Sequence, residues 1–271
     1  MSKKALCIGI NNYPGTGNDL NGCVNDANDW SQVLRKKGYA VTMLLDAKAT
    51  RANILKEMKK LMTWAGAGDL LFIQYSGHGS YVPDNNADEP DGKDECICPY
   101  DIFKKNGTPN FITDDELHEV YSMKHKDAKL VIISDSCHSG SNAKMAMTLL
   151  SPTDKPRKSR FLPPSAFLNA KALAKFGTRE IITKASPPGK HAGLLMAGCQ
   201  DHQVSYDAYF NNRPNGAFSF VALKTLKSVS NKSKPSYSDW FKAIKKELPS
   251  PDYDQIPNLY GSSVMKKWTI F

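Results

Sequence analysis

Short apolar runs alternate along this chain with longer segments whose apolar residues recur every three to four positions. Ala5–Ile10 (ALCIGI), Leu70–Tyr75 (LLFIQY), Leu130–Ser134 (LVIIS) and Gly193–Gly198 (GLLMAG) are nearly unbroken apolar runs, and Tyr39–Leu45 is also strand-like. Such runs are expected of strands covered on both faces. Between them, Gly22–Lys37 carries Val24, Ala27, Trp30, Val33 and Leu34 at helical spacing. Thr50–Trp64 begins with a capping threonine and gathers Ile54, Leu55, Met58, Leu61 and Met62 on one face. Asp114–Ser122, Ala217–Leu226 and Ser238–Leu248 read as further helices, and Lys267–Phe271 as a last strand. Alternating strands and helices predict an α/β fold: a mostly parallel central sheet flanked by helices on both faces.

Residues 144–190 interrupt this rhythm. PTDKPRKSR, LPPS and SPPG break any regular element, so a long loop is expected, with at most a short helix near Ser165–Phe176. The net charge of +9 resides here: the segment holds ten Lys/Arg against Asp154 and Glu180, and the remainder is close to neutral. A basic loop is not a folded basic face, so nucleic acid is not the expected partner. No run of about 18 apolar residues exists, which argues against a membrane-spanning helix, and MSKKALCIGI leads into NNYPG without a signal-peptide cleavage pattern. The six cysteines are scattered through a 271-residue chain with an ample core. Reduced thiols in a cytoplasmic protein are therefore expected rather than a disulfide framework. Cys96-Ile97-Cys98 has no second pair, so zinc spacing is absent. Cys7 and Cys199 read as small core residues.

Two of the apolar strands end alike. LLFIQY runs into Ser76-Gly77-His78-Gly79, and LVIIS into Asp135-Ser136-Cys137-His138-Ser139-Gly140. Functional groups of parallel sheets gather beyond the carboxyl ends of strands. A thiol, an imidazole to take its proton and glycines that let a backbone approach are what Cys–His nucleophilic catalysis requires. A cysteine phosphatase would need an arginine six residues after its cysteine, where Ala143 stands, and there is no Gly-rich phosphate loop. The tryptophans Trp30, Trp64, Trp240 and Trp268 read as packing. His118, His125, His138, His191 and His202 lack ligand spacing.

YSGHGS and DSCHSG, in that order and 59 residues apart from His78 to Cys137, resemble the catalytic motifs of the metacaspases, a caspase-like cysteine peptidase family. NGCVNDA, GKDECICPYD, ITDDEL, AGCQDHQVSYDA and NGAFSF extend the resemblance over nearly the whole chain. It implies one caspase-like domain over 1–271: a large-subunit-like region (1–143), the basic flexible linker (144–190) and a small-subunit-like region (191–271). It implies Cys137 as nucleophile and His78 as general base, with the N–H groups of Gly79 and Cys137 as the oxyanion hole. Substrates would be proteins or peptides cut after Arg or Lys, held by Cys23, Asp26, Ser76 and Asp135. Two carboxylates suit a guanidinium or ammonium and repel an aspartate. Self-cleavage within 144–190 and a monomer without prodomain are further expectations.

The resemblance also implies a calcium activator at Asp94, Asp114 and Asp115, since a hard cation wants several oxygen ligands. An acid usual in the family seven residues after the nucleophile is replaced by Lys144, which sets an ammonium where a ligand is expected. Asp84, Asp88, Glu89 and Asp91 fit no EF-hand pattern and read as a solvated loop. The rival readings are a catalytically silent caspase-like interaction module, a nucleic-acid-binding protein that uses the basic loop, and a caspase-like protease of non-basic specificity. Retention of both Cys137 and His78 speaks against the first.

Overall fold

The computed structural model describes residues 1–84, 92–103, 109–138, 157–175, 192–200, 203–231 and 233–271. Along the chain run β1 (Lys3–Gly9), α1 (Cys23–Lys36), β2 (Ala40–Leu45), α2 (Arg51–Trp64), β3 (Leu70–Ser76), β4 (Gly79–Pro83), β5 (Lys93–Ile97), β6 (Ile112–Thr113), α3 (Asp114–Ser122) and β7 (Lys129–Asp135). They are followed by β8 (Lys158–Ser159), α4 (Ala170–Leu173), β9 (Leu194–Ala197), β10 (Tyr206–Phe210), β11 (Arg213–Gly216), α5 (Ala217–Val229), α6 (Tyr237–Ile244), β12 (Asn258–Tyr260) and α7 (Ser263–Lys266).

The main sheet has the order β12-β9-β7-β3-β1-β2. Its pairings are parallel except for the edge strand β12, which runs antiparallel to β9. Strand side chains alternate between faces, and both faces are dry. Leu6, Ile8, Leu71, Ile73, Leu130 and Ile132 point into one cluster with Ile54, Met58 and Met62 of α2 and Val120 of α3. Ala5, Cys7, Phe72, Val131 and Ile133 point into the other, with Trp30 of α1, Phe218 and Ala222 of α5, and Trp240 of α6. The continuous apolar runs are thus strands with helices on both sides. Thr50 caps α2 by accepting from Asn53 N–H, and Thr113 with Glu116 forms a capping box on α3.

Register brings the carboxyl ends of the central strands level. Gly9 pairs with Ser76, and Ser76 with Asp135. Two three-stranded sheets, β4-β5-β6 and β11-β10-β8, continue from these ends.

Two expectations change. Lys267–Phe271 forms no named strand: Ile270 is buried as a core residue, and the edge strand is Asn258–Tyr260. The apolar ending is there to fill the core rather than to extend the sheet. Within 144–190, the described residues 157–175 are built into the molecule. Lys158–Ser159 is a strand, Arg160 and Leu162 have no exposed surface, and the short helix is α4. Residues 144–156 and 176–190, with Lys144, lie outside the described residues, as do Asp88, Glu89 and Asp91.

Candidate active site

The site forms where β1, β3 and β7 end together. β3 delivers Ser76 and then His78, and β7 delivers Asp135 and then Cys137. α1 approaches over Gly9, where an added Cβ would lie 2.4 Å from the Cys23 carbonyl oxygen. This close crossing sets Cys23 and Asp26, in the first turn of α1, over the same strand ends. The start of α1 has no side-chain cap from Gly22 itself. Asn11 Oδ1 accepts from the N–H of Cys23 (2.8 Å) and Val24 (3.2 Å) instead.

Into this site runs Arg160. Its Nη2 lies 2.7 Å from Asp26 Oδ2 and 3.0 Å from Asp207 Oδ1, and its Nη1 lies 3.1 Å from Asp135 Oδ2. All four side chains are essentially inaccessible to solvent. Each carboxylate is also held from behind. Asp26 accepts from Asn215 Nδ2 (2.9 Å) and Gly216 N–H (3.0 Å). Asp135 accepts from the Ser205 hydroxyl and from Ser219 N–H (2.9 Å) in the first turn of α5. Asp207 accepts from Asn21 N–H (2.7 Å) and Gly22 N–H (2.8 Å) at the start of α1. Two helix starts thus face the carboxylates, a placement that favours negative charge. Burial nevertheless pushes the Asp26 carboxyl up to about 6, against the pull of Arg160 and with Asp135 adding to the rise. Three buried carboxylates demand a cation between them. Gly216 leaves it room: a Cβ there would sit 2.1 Å from Asp135 Oδ2 and 2.5 Å from Arg160 Nη1.

The main chain of Arg160 is held as firmly. Its carbonyl oxygen accepts from Gly79 N–H (3.0 Å) and Cys137 N–H (3.3 Å), and its N–H donates to the Ser205 carbonyl (2.9 Å). Upstream, Lys158 and Ser159 pair antiparallel with Asp207 and Tyr206. Downstream, Leu162 N–H donates to the Gly79 carbonyl (2.9 Å). The segment lies across the ends of the sheet as an added strand, the arrangement used for extended peptides. Cys137 is buried, and its sulfur faces the Ser205 peptide and accepts from its N–H.

His78 is positioned from a different direction. Its N–H donates to the Tyr13 hydroxyl (2.7 Å), its ring lies 4.6 Å from the Tyr13 ring, and its Nε2 lies 2.6 Å from the Asn18 carbonyl oxygen. A carbonyl only accepts, so Nε2 carries the proton. Nδ1 is buried and has no hydrogen-bond partner among the described residues. Burial lowers the ring to about 4, while the Asn18 and Arg160 carbonyls pull it back up. At neutral pH His78 is an uncharged imidazole with a bare Nδ1, which is the form of a base.

Of the predicted pocket residues, Asp26 and Asp135 contact the guanidinium, and Cys23 is buried beside them, where burial pushes its thiol well up, against a smaller pull down from Arg160. Ser76 is buried, and its hydroxyl accepts from Gln74 Nε2 (2.7 Å). Asp207, Asn18 and Asn11 were not foreseen. Asp207 lies in AGCQDHQVSYDA but has no spacing that marks it, and Asn18 acts through its main chain.

Asp94 is a buried residue of β5, and Asp114 and Asp115 open α3. Among the described residues, no three His, Cys, Asp or Glu side chains come together to hold a metal. Burial, and then the neighbouring Asp115, push the Asp114 carboxyl up.

The caspase-domain model matches residues 2–269, and the chain belongs to that family, whose members are caspase-like cysteine peptidases. Metacaspases are among its curated relatives. Metacaspase-1B of Aspergillus oryzae is 32% identical over 95% of this chain and 67% of its own length. Metacaspase-6 of Arabidopsis thaliana is 39% identical over 58% of this chain and 44% of its own. A crystal structure of a Geobacter sulfurreducens protein superposes with a TM-score of 0.73 at 31% identity, covering 99% of this chain and 98% of that one. Caspase-1 of Spodoptera frugiperda, at 12% identity and a TM-score of 0.52 over 96% and 87%, shares the fold.

Proposed function

We propose that this protein is a cysteine endopeptidase that uses a Cys137–His78 dyad to cleave peptide bonds after Arg or Lys, its own Arg160–Phe161 bond among them. One observation carries the reading: the Arg160 carbonyl rests on two backbone N–H groups beside Cys137 while its guanidinium sits among three carboxylates. In the reaction His78 Nδ1 takes the Cys137 proton, and the thiolate attacks the carbonyl carbon. The oxygen gains charge on the Gly79 and Cys137 N–H groups, donors already in place that lose nothing to reorganisation. His78 then returns the proton to the leaving amine. An aspartate before the scissile bond would add a fourth carboxylate to a buried anionic slot, so it is excluded. Lysine is accepted with fewer hydrogen bonds, because an ammonium cannot fork between carboxylates as a guanidinium does.

Bond cleavage in this scheme draws on no cofactor. All six cysteines are free, which supports action in a reducing, cytoplasmic compartment. No described helix is long and apolar enough to cross a membrane. We extend the proposal to a monomer acting on protein or peptide substrates.

The test is N-terminal sequencing of the chain after incubation and denaturing quench. A new end reading Phe161-Leu162-Pro163-Pro164 is expected, absent from Cys137→Ala and Arg160→Gln. Cuts only elsewhere, or cutting that survives Cys137→Ala, would overturn the reading.

A further inference from the structure

The segment carrying Arg160 is held on the two sides of its scissile bond by different parts of the molecule. The upstream leg depends on strand pairing with β10 and on the Arg160 side chain in its pocket. Apart from one hydrogen bond, from Phe161 N–H to the Ser159 hydroxyl oxygen (3.2 Å), the downstream leg depends on neither. Phe161 is buried, packed with Cys137 and Cys199, and stacked on Tyr81 with ring centroids 5.8 Å apart. Leu162 has no exposed surface and belongs to the main core cluster, its N–H donates to the Gly79 carbonyl, and its own carbonyl accepts from Ser80 Oγ (2.6 Å). Phe167 and Leu168 enter the same core, with Phe167 against the Phe111 ring. Beyond that one hydrogen bond, none of these contacts involves Lys158, Ser159 or Arg160.

In an ordinary peptidase the leaving amine departs and water takes its place. Here the amine belongs to a leg that the core retains. We propose that after the cut the new amino terminus at Phe161 stays docked beside Cys137 and competes with water for its acyl group, so that the chain reseals its own cut and joins other arginyl acyl groups to Phe161. The inference rests on the cysteine-peptidase reading above. Cleavage breaks the Arg160–Phe161 C–N bond, forms a thioester between the Arg160 carbonyl and Cys137, and leaves a neutral amine. In the return step that amine attacks the thioester, the C–S bond breaks, an amide forms, and the proton lost by nitrogen passes through His78 to the thiolate. No oxidant or cofactor enters. A held nucleophile has an effective concentration that reaches on the order of 10⁵–10⁸ M in well-oriented systems, and the burial of Cys137 and Phe161 keeps water from the same position. Once the upstream leg is hydrolysed and withdrawn, the same amine meets the acyl group of any Arg-containing substrate that enters.

The experiment is to incubate the full-length wild-type chain with acetyl-Lys-Ser-Arg methyl ester, quench in acid, and weigh the fragment that starts at Phe161. The expected fragment carries the acetyl-Lys-Ser-Arg group on the Phe161 nitrogen and resists N-terminal sequencing. Phe167→Ala, which loosens the leg, is expected to shift the partition from transfer to hydrolysis roughly tenfold while the ester is still consumed. Ser80→Ala reads the same partition should the first variant not fold. A fragment with free Phe161 throughout, beside Cys137-dependent ester hydrolysis, overturns the inference and leaves the peptidase reading standing. An ester that is neither hydrolysed nor transferred, on a chain that remains uncut, overturns both.

Discussion

Asp207 shows what a single residue adds to this pocket. It supplies the third carboxylate at Arg160 and is fixed by two main-chain N–H groups at the start of α1. Asp207→Asn keeps its shape and removes its charge. A charge-assisted hydrogen bond contributes about 1.5–3 kcal/mol, so kcat/KM for an Arg peptide should fall roughly 10- to 100-fold. An unchanged value would remove Asp207 from the pocket. Acidity bears on Asp26 and His78 in opposite senses. Asp26, raised to about 6, takes up a proton below that pH and gives up its charge toward the guanidinium. His78, lowered to about 4, stays a neutral base until pH falls that far. The first-order rate of self-cleavage should therefore be flat above about 6, fall below it, and fall again toward 4. A profile with no break near 6 contradicts this account of Asp26. Cys137 and His78 were legible in the sequence because each sits in a strand-end motif. Asp207 and Asn18 were not, because one lies in a stretch without periodicity and the other contributes only a carbonyl.

Among the elements, strands and helices of the main layer were readable because burial on two faces leaves unbroken apolar runs and burial on one leaves a helical stripe. Leu130–Ser134 and Gly22–Lys37 differ from β7 and α1 by only a residue or so at each end. The small sheets were hidden for the opposite reason: β8 and β6 have two residues each, too few to show a period. Residues 157–168 looked like part of a solvated basic loop because Arg160 is one of ten similar charges. The contrary signal lay immediately downstream, in Phe161-Leu162-Pro163-Pro164, an apolar and stiff stretch poorly suited to solvent. Packing between elements is close where α1 crosses β1. A Cβ at Gly9 would meet the Cys23 carbonyl at 2.4 Å and the Ala27 Cβ at 2.8 Å. Gly9→Ala should destabilise the fold by about 1–3 kcal/mol, the cost of overpacking, as read by denaturant unfolding. No loss would mean that α1 shifts freely, and the pocket it carries would then not be rigid.

For the whole molecule, the sheet acts as a platform that levels three strand ends and lets α1, β4, β10 and α5 close over them. The basic segment carries most of the chain's net charge, and one of its residues, Arg160, is the side chain that the three buried carboxylates hold. The most direct measurement is hydrolysis of two fluorogenic peptides identical except for Arg or Asp before the reporter, with Cys137→Ala as control and with calcium or chelator present. Release is expected from the Arg peptide alone, lost in Cys137→Ala, at the same rate in calcium and in chelator. Cleavage of the Asp peptide, or Arg cleavage that persists without Cys137, would contradict this expectation.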